Sequence, residues 1–77
     1  MFKPGSIVRV IQPCTKLTLG KTYTVLSPME HYKVHGYMST GCVCVLDDTR
    51  HINAWSVDRF ELVASSIDYL AITRSVI

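Results

Sequence analysis

The sequence predicts an all-β domain: a small five-stranded barrel with a short 3-10 turn before its last strand and a C-terminal appendage. Three observations carry this reading. Residues 6–11 and 21–27 alternate side chains in a period of two and are rich in β-branched and aromatic residues. Residues 42–63, CVCVLDDTRHINAWSVDRFELV, read as a hairpin, one helical turn and a closing strand. Finally, 77 residues that are 48% hydrophobic and 18% charged are enough for one core, too short for two, and too apolar for disorder.

In chain order, residues 2–5 form a turn-like lead-in. The first strand follows, with Val8 and Val10 on one face and Ile7, Arg9 and Ile11 on the other. Pro13 ends it because proline has no N–H to give a ladder. Residues 17–20 form a loop with two apolar anchors, Leu17 and Leu19, and Gly20 marks a position of positive φ. In the second strand Tyr23 and Val25 face one way and Thr22, Thr24 and Leu26 the other, and Pro28 stops it.

Residues 29–41 hold two glycines, two histidines and two tyrosines with no sustained period. They read as a long loop with a short strand near residues 32–34, or as an extended edge hairpin. Connections of this length tend to be working surfaces, which makes Tyr32, Lys33, Tyr37 and Met38 candidate partner-binding residues. Residues 42–46 and 52–55 are the two strands of the hairpin. A turn at Asp48-Thr49 would put Val43, Val45, Ile52 and Ala54 on one face, and a three-residue loop would shift the partners by one. Both faces are apolar, as suits a bent hairpin covered from two sides.

After Trp55, Ser56 is an N-cap type and residues 57–59 suffice for a single 3-10 turn. Trp55 reads as a core plug ahead of an interface anchor, and Arg59 as a brace for Asp47-Asp48 or Asp58. Residues 64–77 form the appendage. There Ile67, Leu70 and Ala71 at helical spacing favour a helix, while Ile72, Val76 and Ile77 also suit a strand. Ile67, Leu70 and Val76 are the candidate tail interface, through which a homo-oligomer could form.

Eight Lys and Arg against six Asp and Glu give +2, and the cations are scattered. Such a balance demands neither nucleic acid nor a membrane. No stretch reaches the roughly 18 apolar residues of a bilayer span. Three cysteines and a broken N-terminal apolar stretch point to the reducing cytoplasm.

His31, His35, Cys42 and Cys44 are all zinc-ligand types, but Cys-x-Cys on a strand separates the sulfurs by about 7 Å, too wide for easy tetrahedral sharing. Small buried hydrophobes are the commoner role of free cysteines. A nucleophilic Cys42 or Cys44 with His51 and Asp47 or Asp48 is conceivable, yet so short a chain has little volume for a dry pocket. The expectation is no enzyme, no metal and no cofactor. Asp47-Asp48 reads as the turn itself.

The succession of strand, long loop, strand, long loop, hairpin, helical turn and last strand resembles the Src-homology-3-like (SH3-like) barrel over residues 1–63. The phrases KPGSIVRV (3–10), LTLGKTYTV (17–25), VLDDT (45–49) and WSVDRFEL (55–62) look like small accessory proteins of tailed bacteriophages and prophages. Signalling members of the fold carry an aromatic row and acidic residues after the first strand, where this chain has Pro13, Cys14 and Lys16. The resemblance therefore implies a non-catalytic module in the host-cell cytoplasm that binds and modulates a host protein. The rival expectation is a weak nucleic-acid binder using Lys33, Tyr37 and Arg50.

Overall fold

A computed structural model describes residues 2–39 and 41–65. Its strands are β1 (Ile7–Val10), β2 (Thr22–Thr24), β3 (Cys42–Leu46), β4 (Ile52–Ser56) and β5 (Phe60–Ala64), with helix α1 (Pro28–His35) between β2 and β3. They form two antiparallel sheets, a three-stranded one in the order β2-β1-β5 and the β3-β4 hairpin. In place of a continuous five-strand ladder, an isolated bridge between Leu26 and Cys44 joins them, where the Leu26 N–H donates to the Cys44 carbonyl at 2.7 Å. The expected C-terminal helix or strand, with Ile67, Leu70 and Val76, lies outside the described residues.

The period-two pattern decides which side chains meet. Val8 and Val10 of β1, Tyr23 and Val25 on and after β2, Val43 and Val45 of β3 and Phe60 of β5 form one buried cluster, with Phe2, Cys14, Trp55 and Val57 packed against it. Thr22 and Thr24, pointing the other way, are exposed. Leu17 supplies the loop's contribution to this core at 1% exposure, whereas Leu19 is 62% exposed. The loop thus has one apolar anchor, because the Cys14–Leu17 backbone pair folds Leu17 inward and Gly20, at φ +79°, turns the chain back before Leu19 can follow.

The structure decides one choice the sequence left open, the hairpin register, and corrects one expectation. In the hairpin, Val43 lies opposite Trp55 and Val45 opposite Asn53, while Cys44 lies opposite Ala54 and Leu46 opposite Ile52. The loop is the three-residue alternative, Asp48-Thr49-Arg50, closed by Asp47 N–H to His51 O (3.0 Å) and Arg50 N–H to Asp47 O (2.9 Å). Arg50 takes the left-handed conformation at φ +63° that such loops require of their last residue. Trp55 therefore shares the core-facing side with Val43 and Val45.

The correction concerns residues 29–41, which begin as a helix and contain no strand at 32–34. Pro28 starts the helix with its φ preset, Ser27 and Glu30 stand at capping-box spacing, Lys33 and His35 favour the C-terminal end, and Gly36 caps it at φ +80° with its N–H on Tyr32 O (2.8 Å). These end signals were present in the sequence. The apolar stripe that normally reveals a helix was not, because His31 is its buried residue.

Because Leu17 is the loop's sole buried anchor, Leu17→Ala is expected to cost about 2–5 kcal/mol of unfolding free energy, chiefly as lost transfer and residual cavity. Urea denaturation measures this; a loss under about 1 kcal/mol would show that the site collapses without cost.

Candidate interaction surface

Helix α1 packs on β4 through imidazoles. His31, 2% exposed, meets the Tyr37 carbonyl through Nδ1 at 3.1 Å, and His35 meets the Ile52 carbonyl through Nε2 at 2.6 Å. A carbonyl only accepts, so each contacting nitrogen carries a proton and both tautomers are fixed. The two rings lie 4.3 Å apart at 30°, and Tyr37 meets His31 edge-on at 5.1 Å.

With His31 turned inward and His35 bonded to β4 at the surface, the apolar side chains of this segment are left outside. Tyr32 is 48% exposed, Tyr37 61% and Met38 48%, and Met29 and Val34 are exposed as well. Lys33 is solvated and pairs loosely with Glu30 at 3.8 Å. The candidate partner-binding residues thus stand on one helix and its exit, and Met29, which the sequence did not single out, shares the face of Tyr32 three positions on, while Val34, also exposed, lies roughly on the opposite side of the helix. Only the helical spacing, read from the end signals, could have found Met29.

The chemistry weighed for the other residues does not assemble. Although His31 and His35 meet, one nitrogen of each is committed to a backbone carbonyl, and among the described residues no three His, Cys, Asp or Glu converge to hold a metal. Cys44 is buried opposite Ala54, whereas His51 lies at the loop end opposite Asp47, its Nδ1 on the Thr49 hydroxyl. Burial, and then Cys42, push the Cys44 thiol above its ordinary value, away from the thiolate a nucleophile needs. Lys33 and Tyr37 stand on α1 and its exit, while Arg50 lines a cleft that includes neither. Among the described residues no helix is long and apolar enough to cross a membrane.

Arg59 does not brace an aspartate. Its guanidinium donates to the carbonyls of Gln12 (3.1 Å) and Pro13 (3.3 Å) and stacks over Trp55, 5.9 Å from the ring centre. Trp55 is half-buried against the core, and its indole N–H has no hydrogen-bond partner among the described residues.

Asp47 and Asp48 do make the turn, and each does more. Asp47 Oδ1 accepts the Thr49 N–H and hydroxyl and the His51 N–H, and Oδ2 accepts the Asn53 amide. Burial would raise its carboxyl, but these donors outweigh burial and hold it below the ordinary value. Asp48 accepts from Lys21 Nζ (2.7 Å), Tyr23 Oη (2.8 Å) and Thr18 Oγ1 (2.6 Å), while its own N–H donates to Lys16 O (3.0 Å). Tyr23 Oη accepts the Thr18 N–H in turn.

Below this cluster, β2 and the β3–β4 hairpin diverge around an open cleft of about 600 Å³, bounded by Lys21, Thr22 and Thr24 on one side and Leu46, Asp48 and Arg50 on the other.

The bonds from Lys21, then Thr18 and Tyr23, hold the Asp48 carboxyl down at about 2. A depressed carboxyl stabilises the fold above its unfolded value, roughly pH 4, and that contribution is lost as pH falls towards 2. Asp48→Asn should therefore lower Tm at pH 7 and flatten the fall of Tm between about pH 4 and 2 relative to the parent. Parallel acid titrations followed by circular dichroism check this, and identical slopes would refute it. No family model, curated protein or solved structure matches the chain, so functional assignment rests on the arrangement of these side chains.

Proposed function

We propose that this chain is a non-catalytic protein-interaction module of bacteriophage or prophage origin, which binds and modulates a host protein in the host-cell cytoplasm through α1 and the residues after it. The observation that carries this reading is the inverted character of α1: it docks with histidines and presents Met29, Tyr32, Val34, Tyr37 and Met38 to solvent. Aromatic and methionine side chains grouped outside a core are what protein interfaces use as anchors. The cluster has no net charge to recommend it to a polyanion, since Lys33 is offset by Glu30.

The SH3-like reading of the scaffold has its own support. Strands β5-β1-β2 lead through the Leu26–Cys44 bridge to β3-β4, and a 3-10 turn at Val57–Arg59 precedes β5. That is the strand succession of such a barrel, with α1 inserted in one of its long connections. Free thiols at Cys14, Cys42 and Cys44 suit a reducing compartment. The origin rests on the phrases at residues 3–10, 17–25, 45–49 and 55–62, which look like those of phage accessory proteins.

The test is affinity capture from a bacterial lysate with the full chain and with Tyr32→Ala/Met38→Ala, leaving Tyr37 in place because its ring contacts His31. One stoichiometric protein should be recovered by the parent, with at least about tenfold less by the double variant at unchanged Tm, as loss of anchor residues implies. Equal recovery by both would overturn the reading.

A further inference from the structure

The cleft beside β2 lies apart from α1 and has a property of its own: a length of strand edge that no described residue pairs with. Val10 N–H bonds Lys21 O, Val25 N–H bonds Ser6 O, and Gly5 N–H bonds Val25 O, so the odd-numbered residues of this stretch face β1. Leu26 donates in the opposite direction, to Cys44. By the alternation of a β-strand, the N–H and C=O groups of Thr22 and Thr24 face the cleft with Leu26's parity. Past the Leu26–Cys44 bridge no backbone group of β3 reaches them.

The charges around this edge are equal in number, Lys21 and Arg50 against Asp47 and Asp48, but differ in how far their hydrogen-bonding groups are taken. Both carboxylates on the rim are satisfied internally, Asp47 by the turn and Asn53, Asp48 by Lys21, Thr18 and Tyr23. Lys21 is neutralised in the same contact. Arg50 has no hydrogen bond or ion pair through its guanidinium to any described residue, and it is held at the cleft by a backbone already fixed at φ +63°. Among the described residues the cleft therefore combines open strand-pairing groups with one guanidinium whose donors are untaken.

We propose that this cleft is a second binding site, which takes an extended peptide segment carrying a carboxylate: the segment pairs with β2 along Thr22 and Thr24, and its acidic side chain engages Arg50. Main-chain pairing supplies affinity without regard to sequence, and the guanidinium, with its planar fork, selects a carboxylate at one position. A nucleic-acid backbone fits poorly, because a repeating anion needs several free cations and this rim offers one beside two aspartates. The site does not depend on the role given to α1.

The test uses the full chain, labelled with nitrogen-15, titrated with the peptide acetyl-Val-Thr-Val-Glu-Val-Thr-amide and with its counterpart bearing Lys in place of Glu. In the free protein the Thr22 and Thr24 amides should exchange quickly with solvent; with the Glu peptide they should shift saturably and become protected. The Lys peptide should bind at least about tenfold more weakly, as should the Arg50→Asn protein against the Glu peptide. Asparagine accepts the left-handed backbone at this position, and an otherwise unchanged amide spectrum shows that the variant is folded. Tyr32→Ala/Met38→Ala should leave the titration as it is, which separates this site from α1. The proposal is overturned by no shift at millimolar peptide, by shifts confined to α1, by equal binding of the two peptides, or by displacement of the peptide with equimolar inorganic phosphate.

Discussion

The arrangement depends on one carboxylate. Asp48 sits on the β3–β4 loop, yet its oxygens gather Thr18, Lys21 and Tyr23 from the opposite sheet and its own N–H reaches Lys16. It closes one end of the gap between the sheets, and the Leu26–Cys44 bridge closes the other. Two pins with no ladder between them leave an opening, which is why a domain too small for a large cavity still has a cleft of this size. Such a charged, hydrogen-bonded contact is directional where apolar contacts are not, so it fixes how the two sheets meet in a way that valine packing alone would leave degenerate.

Helix α1 shows the complementary constraint. A helix of this length is unstable alone and must dock. Here the docking contacts are polar, with the buried His31 and the exposed His35 each donating a hydrogen bond to a backbone carbonyl and their rings in contact. Polar groups satisfied in this way lock orientation and contribute little apolar burial. The consequence is a helix whose tyrosine and methionines are free for other use. Scaffold and surface are thereby divided between two kinds of residue: valines and Phe60 inside the sheets, aromatics and methionines on the insertion.

Legibility differed in the same way. The faces of β1 and β2, the position of β5 and the 3-10 turn followed from alternation and from turn chemistry, since burial selects one side of a pleat wherever a core exists. The register of the hairpin did not follow, because both of its faces are apolar and a slip of one residue leaves the pattern equally plausible; Arg50's left-handed backbone, which decides it, is adopted by a residue type that gives no hint of it. For α1 the end signals at Ser27, Pro28, Glu30 and Gly36 were legible, but periodicity spoke against a helix because its inward residues are histidines.

By itself, then, the sequence determined the mostly-β class and the core-facing sides of β1 and β2, because short-range alternation and turn residues act within a few positions of one another. It also marked Tyr32, Tyr37 and Met38 as surface residues, for want of any pattern that would bury them. Only the tertiary structure decided that Met29 and Val34 are exposed as well, that Asp48 reaches 30 residues back to Thr18, and that Arg59 lies over Trp55. Each of these depends on which distant segments pack together, and a residue's local sequence carries no record of the partner that packing brings to it.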